Sequence, residues 1–247
     1  MSELPDFDVL LTRLARHREL SVDDLSRLAG VPEDEIRAVL DGAAPKPSLL
    51  HRLAPVLRLY PEDLFVIASL PLPPEMTPLD PLAWPAVVDL VRHAIALPQQ
   101  EQDRLRRLAA SLPQEDRTRP APEERPYLRY PPGPGGLLMR LLANRNLGWS
   151  AVARMFLFLT DRYWSAATYG QVGWGAVELS PELQADYATV LGIRADDLAV
   201  LTGIGLPDGH RPAPRGTVEV AGLVRDVRRL SQEQIEGLCA TTEGGRR

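Results

Sequence analysis

The sequence predicts an all-α protein built from two tandem copies of one helical unit. Three observations carry that expectation. First, Leu53-Ala54-Pro55-Val56-Leu57-Arg58-Leu59-Tyr60-Pro61-Glu62-Asp63-Leu64 returns 134 positions later as Tyr187-Ala188-Thr189-Val190-Leu191-Gly192-Ile193-Arg194-Ala195-Asp196-Asp197-Leu198. Upstream, Leu11 to Leu28 matches Leu138 to Met155 at an offset of 127, with Arg13/Arg140, Leu14/Leu141, Arg18/Arg145, Leu20/Leu147 and Arg27/Arg154 in step. Downstream, Leu90 to Leu105 matches Leu223 to Leu238 at an offset of 133. Repetition of this kind fixes an architecture before any residue has a role. Second, apolar residues recur at helical spacing, and no alternating strand pattern competes with them. Third, Pro-rich stretches at 71–81 and 113–136 punctuate the helical blocks as stiff or extended connectors.

Each element has its own signals. Phe7, Leu10, Leu11 and Leu14 define a first helix ending near His17-Arg18. Ser21-Val22-Asp23-Asp24 starts a second, with Val22, Leu25 and Leu28 on its apolar face. Ala29-Gly30 closes it, and Pro32 suits the first position of a third helix that carries Ile36, Val39 and Leu40. Ser48 reads as the cap of a fourth helix, and Pro61 opens a short fifth. Together these make a first unit over 1–70. Residues 82–112 read as an antiparallel hairpin, with Val87, Leu90, Val91, Ala94 and Ile95 forming one stripe and Leu105, Leu108 and Leu112 the other. The linker 113–136 ends in Gly133-Pro134-Gly135-Gly136. A second unit follows over 137–206, with helices near 137–145, 149–157, 160–169, 181–191 and 195–203. A second hairpin is expected at 217–240, and the tail from Glu243 is expected to be disordered. The growth of the offset from 127 to 134 puts seven extra residues inside the second unit.

The charge pattern limits the function classes. The net charge is −5, with Lys46 the only lysine among 28 basic residues, an arginine bias that reads as a GC-rich genome. The imbalance is concentrated in residues 1–70, where 8 basic residues face 12 acidic ones. A strong nonspecific DNA binder presents a basic surface, and this chain does not. No apolar run approaches the ~20 residues that cross a bilayer. The single cysteine, Cys239, cannot form an internal disulfide. The expectation is therefore a cytoplasmic protein with no membrane contact.

The run Leu20-Ser21-Val22-Asp23-Asp24-Leu25-Ser26-Arg27-Leu28-Ala29-Gly30-Val31-Pro32-Glu33-Asp34-Glu35-Ile36-Arg37-Ala38-Val39-Leu40-Asp41-Gly42, continued by Pro47-Ser48-Leu49-Leu50 and Leu53-Ala54, resembles the lambda-repressor-like (Xre/Cro) helix-turn-helix family. Leu25, Ala29 and Ile36 bring two short helices together steeply, and Gly30 lets the chain turn. Such a pair can lay its second helix in a DNA major groove while the first crosses the backbone. The resemblance implies groove-facing positions at Glu33, Asp34, Arg37 and Ala38, where two carboxylates would repel phosphates. Ser21, Arg27, Arg37 and Lys46 are the residues expected to serve DNA from this unit. The second unit is more degenerate: Phe156-Leu157-Phe158-Leu159 stands where the small-residue turn should be, and Thr160-Asp161 reads as the cap of the following helix. It offers Arg154, Arg162, Tyr163 and Thr168 as phosphate or base-edge donors.

Seven of the fourteen aromatic residues lie between Trp149 and Trp174. An enlarged core is the plainer reading. A protein-docking surface built on Trp149, Trp164, Tyr169 and Trp174 is the sharper one, and a small-ligand pocket is the third. No enzyme chemistry is expected. His17, His51, His93 and His210 are far apart without metal-ligand spacing, and the glycine run lacks the residues of a phosphate-binding loop. Asp23-Asp24 and Asp196-Asp197 read as helix-start acids. No cofactor or metal is expected. The leading expectation is a transcriptional regulator acting by reversible occupancy of double-stranded DNA, as a homodimer. Its rival is a non-catalytic interaction scaffold that has traded DNA for a protein partner.

Overall fold

The computed structural model describes residues 3–117 and 129–244. Among these residues are fourteen α-helices and no strand. The first seven are α1 (Phe7–His17), α2 (Val22–Ala29), α3 (Glu33–Leu40), α4 (Pro47–Val56), α5 (Pro61–Ile67), α6 (Trp84–Ala94) and α7 (Gln99–Ser111). The second seven are α8 (Pro134–Asn144), α9 (Trp149–Thr160), α10 (Ala166–Gly173), α11 (Pro181–Leu191), α12 (Ala195–Thr202), α13 (Arg215–Asp226) and α14 (Gln232–Gly244). The order repeats the sequence duplication. None of these helices is long and apolar enough to cross a membrane.

Local chemistry sets the boundaries. Ser21 caps α2 through a reciprocal box: the Asp24 N–H donates to Ser21 Oγ and the Ser21 N–H to Asp24 Oδ2, both at 3.1 Å. Gly30 ends α2 at φ 63, a left-handed conformation that costs a residue with a Cβ about 1 kcal/mol or more. Arg52 on α4 then donates to the Gly30 carbonyl at 2.6 Å, fixing the turn between α2 and α3.

Five boundaries differ from the sequence expectation, the first being that Pro32 is the N-cap of α3 and not its first residue. Helix α4 starts at Pro47, one residue before Ser48, because Pro suits a first turn that needs no N–H. The Gly133-Pro134-Gly135-Gly136 run is not linker but the start of α8. Its glycines permit close approach: a Cβ on Gly135 would lie 2.0 Å from the Val172 carbonyl oxygen, and one on Gly136 would lie 2.2 Å from that of Pro131. Thr160-Asp161 does not cap the following helix. Helix α9 runs through Thr160, Asp161 turns it off at φ 56, and Ser165 caps α10 by accepting from the Thr168 N–H at 3.2 Å. Helix α14 extends through Gly244, beyond the expected start of the tail. Part of the expected linker, residues 118–128, and the tail residues 245–247 lie outside the described residues.

Packing interleaves the two halves. Helix α1 packs on α12, and its repeat counterpart α8 packs on α5. Likewise α6 packs on α14 and α13 on α7, so each hairpin helix takes a main partner from the other hairpin. These contacts are reciprocal, as in a two-fold dimer interface, but within one chain. Buried residues of both halves form one continuous apolar core. Leu10, Leu14, Leu50, Leu138, Leu142 and Leu198 are all fully buried in it, each stabilising the fold by roughly 1.5–3 kcal/mol relative to exposure. The arrangement is not fully symmetric, because α6 also packs on α9 and α13 on α11, seating the hairpin helices against the second unit.

Two ion-pair clusters mark the reciprocal contacts. At the α5–α8 contact, Arg145 forms a bidentate pair with Asp63, Nη1 to Oδ1 at 2.9 Å and Nη2 to Oδ2 at 2.8 Å. Its Nε donates to the Leu191 carbonyl at 2.8 Å. Asn144 adds a 3.2 Å donation to Asp63 Oδ1. Beside them Glu62 meets Arg225 at 2.7 Å and Arg228 at 3.0 Å. At the α1–α12 contact the same pair recurs with the halves exchanged: Arg18 Nη2 donates to Asp197 Oδ2 at 2.6 Å. Arg18/Arg145 and Asp63/Asp197 are repeat equivalents, so the duplication has placed one ion pair at both contacts.

The connector at 71–81 is held from outside. Arg117 donates to Thr77 Oγ1 at 2.6 Å and to the Pro78 carbonyl at 2.8 Å. Arg229 donates to the Thr77 carbonyl at 2.8 Å, and Arg228 to that of Met76. Asn146 donates to the Asp80 carbonyl at 2.8 Å. Prolines leave this segment few N–H donors of its own, so side-chain donors from elsewhere fix its carbonyls.

Candidate recognition faces

The first unit presents α3 with its acidic first turn outward. Glu33, Asp34 and Glu35 open it. The cations expected to serve phosphates each meet a neighbouring carboxylate instead. Arg27 pairs with Asp24 at 2.7 Å. Arg37 pairs with Glu33 one turn earlier. Lys46 pairs with Glu35 at 3.6 Å. Ser21 is committed to its capping box, its hydroxyl donating to Asp24 at 2.6 Å. The hydrogen bonds from Ser21 and Arg27 lower the Asp24 pKa to about 2. Asp24 therefore stays ionised and holds Arg27.

The second unit's face is nearly neutral. Arg154 is exposed on α9, and Tyr163 is 76 % exposed in the segment before α10. Arg162 is occupied: it pairs with Asp186 and lies 5.2 Å over the Trp164 ring. Burial raises the Asp186 pKa, with Arg162 opposing it. Thr168 is half-buried, sharing a 2.9 Å hydroxyl contact with the capping Ser165. Arg154 and Tyr163 are thus the expected donors left to solvent.

The aromatic residues divide into two sets. Tyr169 is fully buried and is not a surface anchor. Its ring packs 4.4 Å from Phe156 and 5.9 Å from Trp164, and burial pushes its hydroxyl up to about 12. It belongs to an enlarged core with Phe156 and Tyr187. At the repeat offset of 127, Phe156 stands where Ala29 ends α2. Trp164 is half-buried against this core. Trp149 and Trp174 are 45 % and 49 % exposed. They flank Gly170 and Tyr130: Trp149 covers Gly170, while Trp174 meets Tyr130 edge-on at 5.2 Å.

Other polar groups were not singled out by sequence spacing. His17 comes within 3.5 Å of Asp196 and 3.8 Å of Asp197, residues almost 180 positions away. Asp196 and Asp197 read locally as helix-start acids, yet Asp197 is fully buried. The only signal available for its partner was the repeat itself, which kept Arg18 and Arg145 in step. No known protein family, curated protein or solved structure matches the chain.

Proposed function

We propose that the chain is a non-catalytic recognition protein: two lambda-repressor-like helix-turn-helix units, over 1–70 and 137–206, braced by interleaved helical hairpins. In this reading the first unit docks on protein rather than DNA. The observation that carries it is the charge arrangement around α3. Arg27, Arg37 and Lys46 each end on a carboxylate of their own unit. Exposed pairs of this kind are worth at most about 1 kcal/mol each, so the pairs themselves would yield easily. The obstacle is what remains: a cation turned to a phosphate leaves its carboxylate beside the duplex, and the exposed Asp23, Asp34 and Asp41 add to the repulsion. Favourable association with DNA depends on net neutralisation of phosphates. A basic protein surface is the complementary partner. The exposed Trp149 and Trp174 supply a second contact patch of the type that anchors protein interfaces.

A regulator that reads DNA through the second unit alone is the other reading, favoured by the neutral face and the exposed Arg154 and Tyr163. One pair of measurements separates the two. Mobility shifts with genomic fragments at low salt should show no binding. A pulldown should yield a discrete complex that a Glu33→Lys/Asp34→Lys double variant abolishes. A salt-dependent shift lost in Arg154→Ala would instead establish the DNA reading and end the first.

A further inference from the structure

We propose that His17, Asp196 and Asp197 form a binding site for a divalent transition cation, of the Zn²⁺ class, at the α1–α12 contact. His17 Nε2 stands 3.5 Å from Asp196 Oδ2 and 3.8 Å from Asp197 Oδ1, and the three ligand atoms lie within 4.8 Å of one another. These separations are too long for hydrogen bonds. Three atoms so spaced can all sit within about 2.4 Å of one centre, and side-chain shifts of a few tenths of an ångström bring them to the roughly 2.0–2.2 Å of nitrogen and carboxylate ligands to such ions. His17 and Asp196 are about a third exposed, at 32 % and 33 %, which gives an ion access and leaves room for water as a further ligand.

Two further observations point to a cation there. Asp197 is fully buried, and its Oδ1, the atom facing His17, accepts no hydrogen bond among the described residues. A buried carboxylate oxygen demands a donor or a cation. The second observation is the repeat-related cluster. There the carboxylates Glu62 and Asp63 meet three guanidinium groups, those of Arg145, Arg225 and Arg228. In the α1–α12 cluster, Asp196 and Asp197 meet two guanidinium groups among the described residues, those of Arg18 and Arg194. The repeat offset of 133 places Ile95 where Arg228 stands, so that position supplies no third guanidinium. His17 replaces Asn144, substituting a metal-competent imidazole for an amide.

The charge balance favours an exchange at Arg194. That guanidinium is over half exposed and contacts Asp196 Oδ2, the proposed ligand atom. A divalent ion that displaces it would leave Arg18 plus two charges on the ion. Three positive charges would then face two carboxylates, as at the α5–α8 contact. The imidazole binds such an ion through its neutral form.

The test is Zn²⁺ titration of the full chain by calorimetry, with thermal melts in parallel. One ion per chain should bind and raise the melting temperature. His17→Ala and Asp196→Asn should each weaken binding by at least about tenfold, while Arg194→Ala should bind as tightly or more tightly. His17→Arg should abolish binding yet keep or raise the melting temperature, because it supplies the missing guanidinium directly. His51→Ala serves as a control and should leave the Zn²⁺ affinity unchanged. Absence of Zn²⁺ binding by the wild-type chain would overturn the proposal. So would binding that is unaffected in His17→Ala, whose folding circular dichroism verifies.

Discussion

Asp63 and Arg145 are each about 1 % exposed. At that depth the fate of a charge depends on its partner. Breaking a buried pair by removing one member costs about 3–5 kcal/mol, because the other is stranded. Asp63→Ala should therefore lower unfolding stability by that amount in chemical denaturation, with Arg145 left against the Leu141 and Leu191 carbonyls. A loss under 1 kcal/mol would show that the pair is not closed in solution. Asp197→Asn should cost less, because Arg18 and Arg194 reach it from a more open edge.

Glu62 gives the pH dependence at the same scale. Burial alone would raise its carboxyl, but Arg228 and Arg225 hold it below the ordinary 4.5. A carboxylate depressed in the folded state adds stability above its unfolded pKa and loses it as pH falls through the folded one. Stability should therefore begin to fall as pH drops below about 4.5 and keep falling further into acid. Glu62→Gln should flatten that part of the profile. An equally steep acid limb in the variant would assign the loss to other carboxylates.

At the scale of elements, the caps and glycines carry separable effects. Ser21→Ala removes one side of the α2 capping box and should cost about 1 kcal/mol. Gly135→Ala should be far more damaging than a helix propensity scale suggests, since its Cβ would meet backbone at 2.0 Å. Helical propensity alone would make it favourable by about 1 kcal/mol. A gain in melting temperature for Gly135→Ala would show that α8 does not press on Val172 as described. These elements also show what was legible. The first five helices follow directly from apolar spacing and turn residues. The start of α8 did not, because a Pro-Gly run reads as linker until Val172 and Pro131 are seen pressed against it. The displaced start of α10 has a similar cause: Thr160-Asp161 has cap chemistry, but the Thr160 hydroxyl donates back to the Phe156 carbonyl at 2.8 Å and prolongs α9.

At the scale of the whole molecule, the halves are organised as an intramolecular pseudo-dimer. Neither buries its apolar faces alone, since α1, α6 and α7 find their main partners across the repeat and α5 packs on α8 as well as on α4. Residues 1–117 expressed alone should therefore show little cooperative unfolding, and mixing them with residues 129–247 should restore a one-to-one complex with native melting behaviour. A first half that melts cooperatively as a monomer would contradict the interleaving. This geometry also changes what a homodimer would mean. Reciprocal contacts that two chains would normally supply are already present within one.

The helical class, the order of the elements and their duplication are all readable from the amino-acid order. Each of these depends on short-range spacing, and a 3.6-residue period or a proline acts through the residues nearest it. That order also kept Arg18 and Arg145 in step without saying why. The pairing came only with the folded chain: which helix covers which, and that Asp197, a first-turn acid of α12, is also the buried ion-pair partner of Arg18, 179 positions away. Many apolar faces of similar hydrophobicity can cover one another, so local pattern does not choose among them. The choice falls to the buried charges, which tolerate only the arrangement that brings them together.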